Sequence, residues 1–243
     1  MRIPRVYIPE LSENDKVFYL TEEIHHYLIH VLRLKTNHPI ILFNGVKTLE
    51  FHGIITELSK KQTTIKLLKT VKIDTMPKIN IHLLQAISKG ERFEYAIQKA
   101  TELGVMSITP LITERIDVKL STERFRKKIQ HWQKIAISAS EQSNRVIIPT
   151  VKQPLKLSEF EKPNNALAFI LSPYTKNSLS NYSNEHANDI YIIIGPEGGL
   201  TNAEIQQAIQ KGISDIRLGP RILRTETAPV AMISLIEYLW GDF

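Results

Sequence analysis

The feature that most constrains this fold is a regular alternation of short apolar runs and helix-forming segments after about residue 78. Ile79 to Ala86 has the length of a strand, and Arg92 to Leu103 is predicted to be a helix that stops at Gly104, which can take the left-handed cap. Leu167 to Leu171 and Tyr191 to Ile194 are apolar throughout, which is typical of parallel strands covered on both faces. We therefore predict an α/β fold with a parallel sheet.

Residues 1–73 follow a different pattern, with strand-sized runs separated by polar clusters. The runs are Arg5 to Ile8, Val17 to Leu20, Ile40 to Phe43, Phe51 to Ile55 and Thr63 to Leu68. One helix is expected from about Glu22 to Leu32, and Asn44-Gly45 predicts a hairpin turn. So many short strands favour a small β-barrel. Asp74 to Lys78, which contains Pro77, is the expected joint, so the predicted domains are residues 1–73 and 74–243.

The composition excludes several kinds of site. The chain of 243 residues has no cysteine, which rules out disulfides, thiolate metal ligands and a cysteine nucleophile. No apolar run reaches the roughly 20 residues of a membrane-spanning helix, and no signal core follows Met1, so a soluble cytoplasmic protein is expected. The net charge is +6, with the positive excess in residues 1–145. This favours a polyanionic partner, although a merely basic surface explains the charge equally well.

The sharpest local motif runs from Ile192 to Thr201, where a buried strand enters a glycine-rich turn and then a capped helix. Ligands of α/β sheets bind beyond the carboxyl ends of strands, and glycines there let the backbone approach a ligand closely. The motif has neither the Lys-Ser/Thr pair of a phosphate-binding loop nor the glycine spacing of a dinucleotide fold. A tight strand-to-helix turn without a ligand is the alternative interpretation.

A second motif, Leu218 to Pro229, lies between a short strand and the last helix, which we expect to begin near Pro229. It brings cations, hydroxyls and a carboxylate together in one loop. Helix capping by Thr227, with Glu226 facing the helix dipole, would explain those two residues. Capping leaves Arg221 and Arg224 without a role.

Two further clusters are weaker. Ser138 to Arg145 ends a long predicted helix and is either a nucleotide-facing cluster or a solvated helix end. His26 and His30 share one helix face, but the glutamate of a metalloprotease motif is missing between them. A surface helix is the better interpretation, and we predict no metal site.

Taken together, the motifs resemble one family, the bacterial 16S ribosomal RNA (uracil-N3)-methyltransferases of the SPOUT superfamily of knotted methyltransferases. The other matching stretches are Lys89 to Gly104, Glu114-Arg115 with Lys119-Leu120, Ser140 to Ser143 with Arg145, and His30 to Leu34. The resemblance spans nearly the whole chain. Pro229 and Asn144 stand where a small residue and a glycine are expected, and neither departure affects the two loops.

The resemblance implies a PUA-like N-terminal β-barrel, a SPOUT-like C-terminal α/β domain with a deep trefoil knot, and a homodimer. It also implies S-adenosyl-L-methionine as the cofactor and a uridine N3 in the 16S ribosomal RNA of the small subunit as the target. The implied cofactor-binding residues are Leu171, Ser172, Gly195, Pro196, Glu197, Gly198, Leu218, Gly219, Leu223, Thr225, Thr227 and Ala228.

The absence of cysteine agrees with this target, because methylation of uracil at C5 usually requires a cysteine nucleophile. Methylation at N3 needs only the loss of a weakly acidic proton and in-line attack, which fixed groups can promote. Our hypothesis is that Arg224 stabilises the uridine anion or holds its phosphate, and that Glu197, or in second place Glu226, accepts the proton. The base must be unpaired or flipped out, since N3 lies on the pairing edge. The residues expected to hold the RNA are Arg2, Arg5, Arg33, Arg115, Gln142 and Arg145.

Three other functions compete with this one. A non-catalytic RNA-binding protein would bind RNA without the cofactor. A related knotted enzyme would modify transfer RNA or another ribosomal position, although the N-terminal domain and Ser140 to Ser143 fit the small-subunit enzymes better. A dinucleotide-dependent oxidoreductase would need the fingerprint glycines that this chain does not have.

Overall fold

The computed structural model describes residues 3–20, 22–31, 33–46, 48–59, 62–73, 77–116 and 122–243. The chain divides into two compact units. The first comprises Met1–Met76 and Ser140–Ile148, and the second comprises Pro77–Ala139 and Pro149–Phe243. The segment Ser140–Ile148 thus belongs to the first unit, whereas the expected boundary near residue 74 assigned it to the second domain.

The first unit is built on a five-stranded sheet. Its strands are β1 (Arg5–Tyr7), β2 (Val17–Tyr19), β3 (Pro39–Phe43), β4 (Leu49–Leu58) and β5 (Thr63–Lys72). Their order is β1-β3-β4-β5-β2, with β1 parallel to β3 and the other neighbours antiparallel. The hairpin predicted at Asn44-Gly45 is confirmed, since β3 and β4 pair antiparallel and Gly45 has a φ of 75° in the turn between them.

The helix expected from Glu22 to Leu32 is present in two parts. Helix α1 (Glu22–His26) continues as a π-helical turn, Tyr27–Val31, and Leu32 lies outside the described residues. The apolar pattern could not distinguish these parts, because it predicts the buried face of a helix and not its hydrogen-bond register. Leu28 of the π-helical turn is completely buried in a core with Leu42, Phe51 and Ile65.

Arg5 explains why residues 140–148 pack in the first unit. Its guanidinium donates to Glu50 Oε1 and to the backbone carbonyl oxygens of Ser140, Glu141 and Arg145. Only 3% of its side-chain surface is exposed. We therefore do not include Arg5 among the residues proposed to hold RNA, because its donors already bind protein acceptors in the interior.

The second unit contains a parallel sheet. Its strands are β6 (Asn80–Ala86), β7 (Ser107–Ile112), β8 (Thr150–Val151), β9 (Leu155–Lys156), β10 (Ala166–Leu171), β11 (Asp189–Ile194) and β12 (Ser214–Ile216). The order is β12-β10-β11-β6-β7-β8, and β9 also pairs with β7. Every described pairing in this sheet is parallel, which confirms the predicted α/β architecture.

Helices cover both faces of this sheet. They are α2 (Arg92–Glu102), the part of α3 (Thr122–Ser143) that precedes Ser140, α4 (Asn202–Gln210) and α5 (Thr227–Trp240). Successive strand residues point to opposite faces, so Leu83 and Leu84 enter different cores. The first core also contains Phe93, Trp132, Ile192 and Ile233, and the second contains Ile193, Ile205 and Ala208.

The order of the strands positions the site. Because β11, β10 and β12 are consecutive neighbours and parallel, their carboxyl ends meet along one edge of the sheet. The glycine-rich loop after β11 and the arginine-rich loop after β12 are therefore brought together, with the segment after β10 beside them. Among the residues described, no helix has both the length and the apolar character needed to cross a membrane.

Candidate active site

A cleft of about 450 Å³ lies at this edge of the sheet. Most of its walls come from three segments, namely residues 171–174 after β10, 194–200 around the end of β11, and 216–228 between β12 and α5. The volume lies within the range of about 300–1,000 Å³ that is typical of small-molecule sites. The ends of separate strands thus build a pocket of the size of a cofactor.

The loop after β11 is a tight turn held by its own backbone. The N–H of Gly199 donates to the carbonyl oxygen of Pro196 at 2.9 Å, and Gly199 has a φ of 71°, which favours glycine. The loop leads directly into α4 through the predicted capping box, in which Thr201 and Glu204 each accept the other's backbone N–H. A Cβ on Gly195 would lie 2.9 Å from Cγ of Leu200, so only glycine fits there without a shift.

Two arginines fix the outer side of the same loop. Arg92 at the start of α2 donates to Oε1 of Glu197 at 3.0 Å, and the backbone N–H of Lys89 donates to the same oxygen at 3.3 Å. Arg115 donates to the carbonyl oxygen of Gly198 at 2.6 Å. The carboxylate of Glu197 is therefore used to attach the loop to the start of α2.

A buried threonine joins the two loops. The hydroxyl of Thr225 donates to the carbonyl oxygen of Gly195 at 2.8 Å and accepts a hydrogen bond from Gln85 Nε2 at 3.0 Å. Thr225 is 6% exposed and Gln85 is 1% exposed. Because Gln85 belongs to β6, this chain of hydrogen bonds sets the distance between both loops and the sheet.

The start of α5 does not follow the capping interpretation. The helix begins at Thr227, and its N-cap residue Glu226 makes no side-chain capping bond. The backbone N–H groups of Thr227 and Ala228 donate to the carbonyl oxygen of Arg224 instead. Glu226 lines the cleft, and its Oε2 is buried without a hydrogen-bond partner in the described part of the chain. Its carboxylate therefore has no structural use that the contacts reveal.

Cations surround the cleft. The lining arginines are Arg92, Arg115, Arg217, Arg221 and Arg224. Arg92 and Arg115 bind the first loop, and Arg217 Nε donates to the carbonyl oxygen of Gly219. Arg221 and Arg224 are exposed, and neither side chain makes an ion pair or hydrogen bond to the described residues. These two guanidinium groups are thus available to an anionic ligand.

The structure brings most of the expected cofactor residues to this one cleft. Those that line it are Leu171, Ser172, Gly195, Pro196, Glu197, Gly198, Leu218, Leu223, Thr225 and Ala228, whereas Gly219 and Thr227 are outside the lining. Arg224 and Glu197, the two expected catalytic residues, also line it. Gln85 was not predicted from the sequence, although its polar side chain at the end of an apolar strand was an available signal. Tyr174, which lines the cleft and is 81% exposed, was not predicted either.

The residues expected to hold RNA are distributed over both units. Arg115 lines the cleft in the second unit. Arg33 and Gln142 are exposed and Arg145 is half-buried in the first unit, and Arg33 has an unusual φ of 53°. Arg2 lies outside the described residues. Lys119 and Leu120, which belong to one of the stretches that resemble the family, lie outside them as well.

Comparison with known families agrees with this architecture. Residues 75–237 match the model of an RNA methyltransferase domain, and residues 20–68 match that of an RNA methyltransferase PUA domain. The first match covers more than half of the chain and contains all three cleft segments.

Similar proteins and structures extend across the whole chain. Ribosomal RNA small subunit methyltransferase E from Buchnera aphidicola is 39% identical over 244 residues, covering 100% of this chain and 96% of its own length. The crystal structure of ribosomal RNA small subunit methyltransferase E from Neisseria gonorrhoeae bound to S-adenosyl methionine has a TM-score of 0.92 and 37% identity, with both chains fully covered. A putative methyltransferase from Legionella pneumophila, also in complex with this cofactor, has a TM-score of 0.93 and 38% identity, again with both chains fully covered. This chain therefore belongs to the ribosomal RNA small subunit methyltransferase E family of RNA methyltransferases.

Proposed function

We propose that this protein transfers the methyl group of S-adenosylmethionine to N3 of a specific uridine in the 16S ribosomal RNA of the small ribosomal subunit. The observation that carries the proposal is the cleft, where Thr225 joins two glycine-containing loops beside two arginines that have no partner among the described residues. The membership of the small subunit methyltransferase E family supports the class of RNA. The absence of cysteine supports N3 rather than C5 of uracil.

The cleft fits this cofactor. Leu171, Leu218 and Leu223 give apolar walls for an adenine ring. A Cβ on Gly198 would meet only the side chain of Arg115, at 3.7 Å, so the backbone there is open to a ligand. When bound, the cofactor supplies an electrophilic methyl group attached to a positively charged sulfur.

The chain's own residues have the task of positioning and charge stabilisation. Arg224 lies in the second loop, is exposed at the cleft and has no partner among the described residues. We propose that Arg224 contacts the target uridine, whose N3 and carbonyl oxygens become negatively charged as the proton leaves. A fixed guanidinium stabilises that charge without reorganisation during the reaction. The target base has to leave any pairing to reach it.

The RNA would be held by the remaining basic and polar residues of the expected set. Arg33, Gln142 and Arg145 in the first unit, and Arg115 at the cleft, are the members of that set that keep this role in the proposal. Phosphate contacts of this kind fix position and make binding depend on salt.

Two properties of the family are included in the proposal. One is the deep trefoil knot, which would involve the two loops after β11 and β12. The other is a homodimer. Support for a dimer comes from α5, whose surface exposes Leu235, Tyr238 and Leu239 to 43%, 72% and 37%. Apolar residues repeated along one exposed helix face are typical of an interface.

The test is methyl transfer from labelled S-adenosylmethionine to small ribosomal subunits isolated from cells that lack this modification. We expect the label to be recovered as 3-methyluridine, at one position of the RNA. Label in another nucleoside would support a methyltransferase activity but refute uridine N3 as its target. Binding of RNA without binding of the cofactor would overturn the enzyme in favour of a non-catalytic RNA-binding protein. Free 16S RNA, assayed in parallel, determines whether the assembled subunit is the substrate.

A further inference from the structure

We infer that Glu226, and not Glu197, accepts the N3 proton of the target uridine. The inference rests on the proposed function, since it names the base of that reaction. In the step, the N3–H bond breaks and its proton passes to the carboxylate. The N3 electron pair forms the bond to the methyl carbon, while the carbon–sulfur bond breaks and leaves its electron pair on sulfur. The protonated carboxyl group later loses its proton to water.

The contacts of Glu197 argue against it as the base. Its Oε1 already accepts hydrogen bonds from the guanidinium of Arg92 and the backbone N–H of Lys89. Protonation would break this ion pair and release the loop from the start of α2. Glu197 is also exposed, so water competes for its remaining lone pairs. We assign Glu197 as a positioning residue that holds the glycine-rich loop.

Glu226 has the properties that Glu197 lacks. It lines the cleft, makes no capping bond at the start of α5, and has an Oε2 that is buried without a partner in the described part of the chain. A buried carboxylate oxygen without a hydrogen bond is costly, and such groups occur at functional sites more often than elsewhere. The lone pairs of Oε2 are therefore not used by any donor in the described part of the chain, and this oxygen is shielded from water.

The local chain geometry places this carboxylate beside the other groups of the reaction. Glu226 follows Thr225, which is bonded to Gly195 of the first loop, and lies two residues after Arg224. The N–H groups of Thr227 and Ala228 bond to the carbonyl oxygen of Arg224, so the turn that carries both side chains is fixed at the start of a helix. One rigid turn thus offers an acceptor for the proton and a cation for the resulting anion.

The discriminating measurement is the pH dependence of single-turnover methyl transfer to small subunits at saturating cofactor, with the full-length protein. For Glu226→Gln we expect a loss of about 100- to 10,000-fold near neutral pH, as for removal of a general base. Without this base, only the fraction of the uridine that is already deprotonated at N3 can react. The residual rate should therefore rise about tenfold per pH unit into the alkaline range, where the wild-type rate is level.

Three further variants complete the test. Glu226→Asp keeps a carboxylate and should retain the shape of the wild-type profile at a lower rate. Glu197→Gln should weaken cofactor binding while leaving the shape of the profile unchanged. Glu161→Gln, whose side chain is 76% exposed and is outside the lining of the cleft, should behave as wild type. Near-normal cofactor binding by the Glu226 and Glu161 variants, measured by calorimetry, shows that these proteins are folded and that the cleft is intact.

The outcomes separate this inference from the proposed function. A wild-type protein that neither binds the cofactor nor methylates uridine N3 would refute the proposed function, independently of the results for the Glu226 variants. If the wild type is active and Glu226→Gln retains its rate, or loses rate with an unchanged pH profile, Glu226 is not the proton acceptor. If Glu197→Gln instead gives the alkaline-dependent profile, the roles of the two carboxylates are reversed.

Discussion

Arg5 Nε lies 2.9 Å from Oε1 of Glu50, and the two side chains are only 3% and 9% exposed. Glu50 also approaches Nε2 of His52 through its second oxygen, at 3.2 Å. Because the guanidinium also bonds to the carbonyl oxygens of Ser140, Glu141 and Arg145, this one side chain connects β1, β4 and the end of α3. The interior of the first unit therefore depends on a paired charge.

Substitution of Arg5 by methionine should lower the free energy of unfolding by about 3–5 kcal/mol, because it leaves the Glu50 carboxylate buried without its main partner. Urea unfolding, followed by circular dichroism, measures this change. As a control, Lys127→Met removes an exposed ion pair with Glu123 and should change stability by less than about 1 kcal/mol. Equal effects of the two substitutions would contradict the structural role of Arg5.

The pair also shows where inference from sequence stops. The strands and glycine-rich turns were predictable because their signals are local, such as Asn44-Gly45 or the Thr201 and Glu204 capping box. An arginine near the start of a basic chain looks like a surface residue, and its partner Glu50 is 45 residues away. No local sequence pattern around Arg5 or Glu50 predicts the other residue as its partner.

The same limit applies to the site. The two loops could be identified from their glycines and arginines, since each is a continuous motif. The Gln85 to Thr225 hydrogen bond joins residues 140 positions apart and depends on the strand order, which the sequence does not reveal. The choice between Glu197 and Glu226 depends likewise on the position of Arg92 in space. Local patterns locate the loops, and tertiary contacts decide what each side chain does.

A second prediction concerns acid stability and the His82–Asp189 pair. Ser107 Oγ lies 2.8 Å from Nδ1 of His82, and His82 Nε2 lies 3.1 Å from Oδ1 of Asp189, so a neutral imidazole satisfies both neighbours as acceptor and donor. Burial lowers the pKa of His82, and its hydrogen bond to Asp189 only partly opposes this. The pKa of Asp189 is also lowered, chiefly by the hydrogen bond from His82.

Both shifts have the same sign for stability. A histidine whose pKa is lowered by folding binds its proton more readily in the unfolded chain. Stability should therefore fall as the pH drops through the pKa of histidine in the unfolded chain, about 6.5. The contribution of Asp189 to stability is present above its pKa in the unfolded chain, about 3.9, and is lost as the pH falls through its lower pKa in the folded protein.

We expect His82→Gln to flatten the decline of the melting temperature that accompanies protonation of the histidine. His131→Gln, at an exposed histidine paired with Glu94, should leave it unchanged, and an unaltered decline in His82→Gln would refute the assignment.

A third prediction compares two glycines of the same loop. Alanine at Gly195 would place its Cβ 2.9 Å from Cγ of Leu200, so we expect a loss of stability of about 1–3 kcal/mol from overpacking. Alanine at Gly198 would make only an ordinary contact with Arg115, so stability should be kept. If the cofactor occupies the space before this backbone, Gly198→Ala should nevertheless weaken its binding about tenfold or more, since a single misplaced contact of 1.4 kcal/mol has that effect. Thermal unfolding and calorimetry separate the two effects, and normal cofactor binding by Gly198→Ala would move the ligand away from this loop.

A fourth prediction tests the dimer. Leu235→Glu places a charge in the exposed apolar face of α5, which also carries Tyr238 and Leu239. If that face forms the dimer interface, the variant should be a monomer of about half the wild-type mass by light scattering, because an unpaired charge is costly in a buried interface. Ile209→Glu changes a residue of similar exposure, 38%, on α4 and should leave the mass unchanged. A wild-type dimer that survives Leu235→Glu would place the interface elsewhere.

The last prediction separates the two unpaired arginines of the cleft. If Arg224 stabilises the charge that develops on the uridine, Arg224→Ala should lower the single-turnover rate by about 100- to 1,000-fold, with cofactor affinity kept within a few-fold, as for loss of one oxyanion donor. Arg221, which is also exposed but lies further from the start of α5, is expected to contact phosphate. Arg221→Ala should therefore raise the RNA concentration needed for half-maximal rate and reduce the salt dependence of binding, with a near-normal maximal rate. Methyl transfer by Arg224→Ala at nearly the wild-type rate would exclude a catalytic role for this arginine, and a larger rate loss in Arg221→Ala would exchange the two assignments.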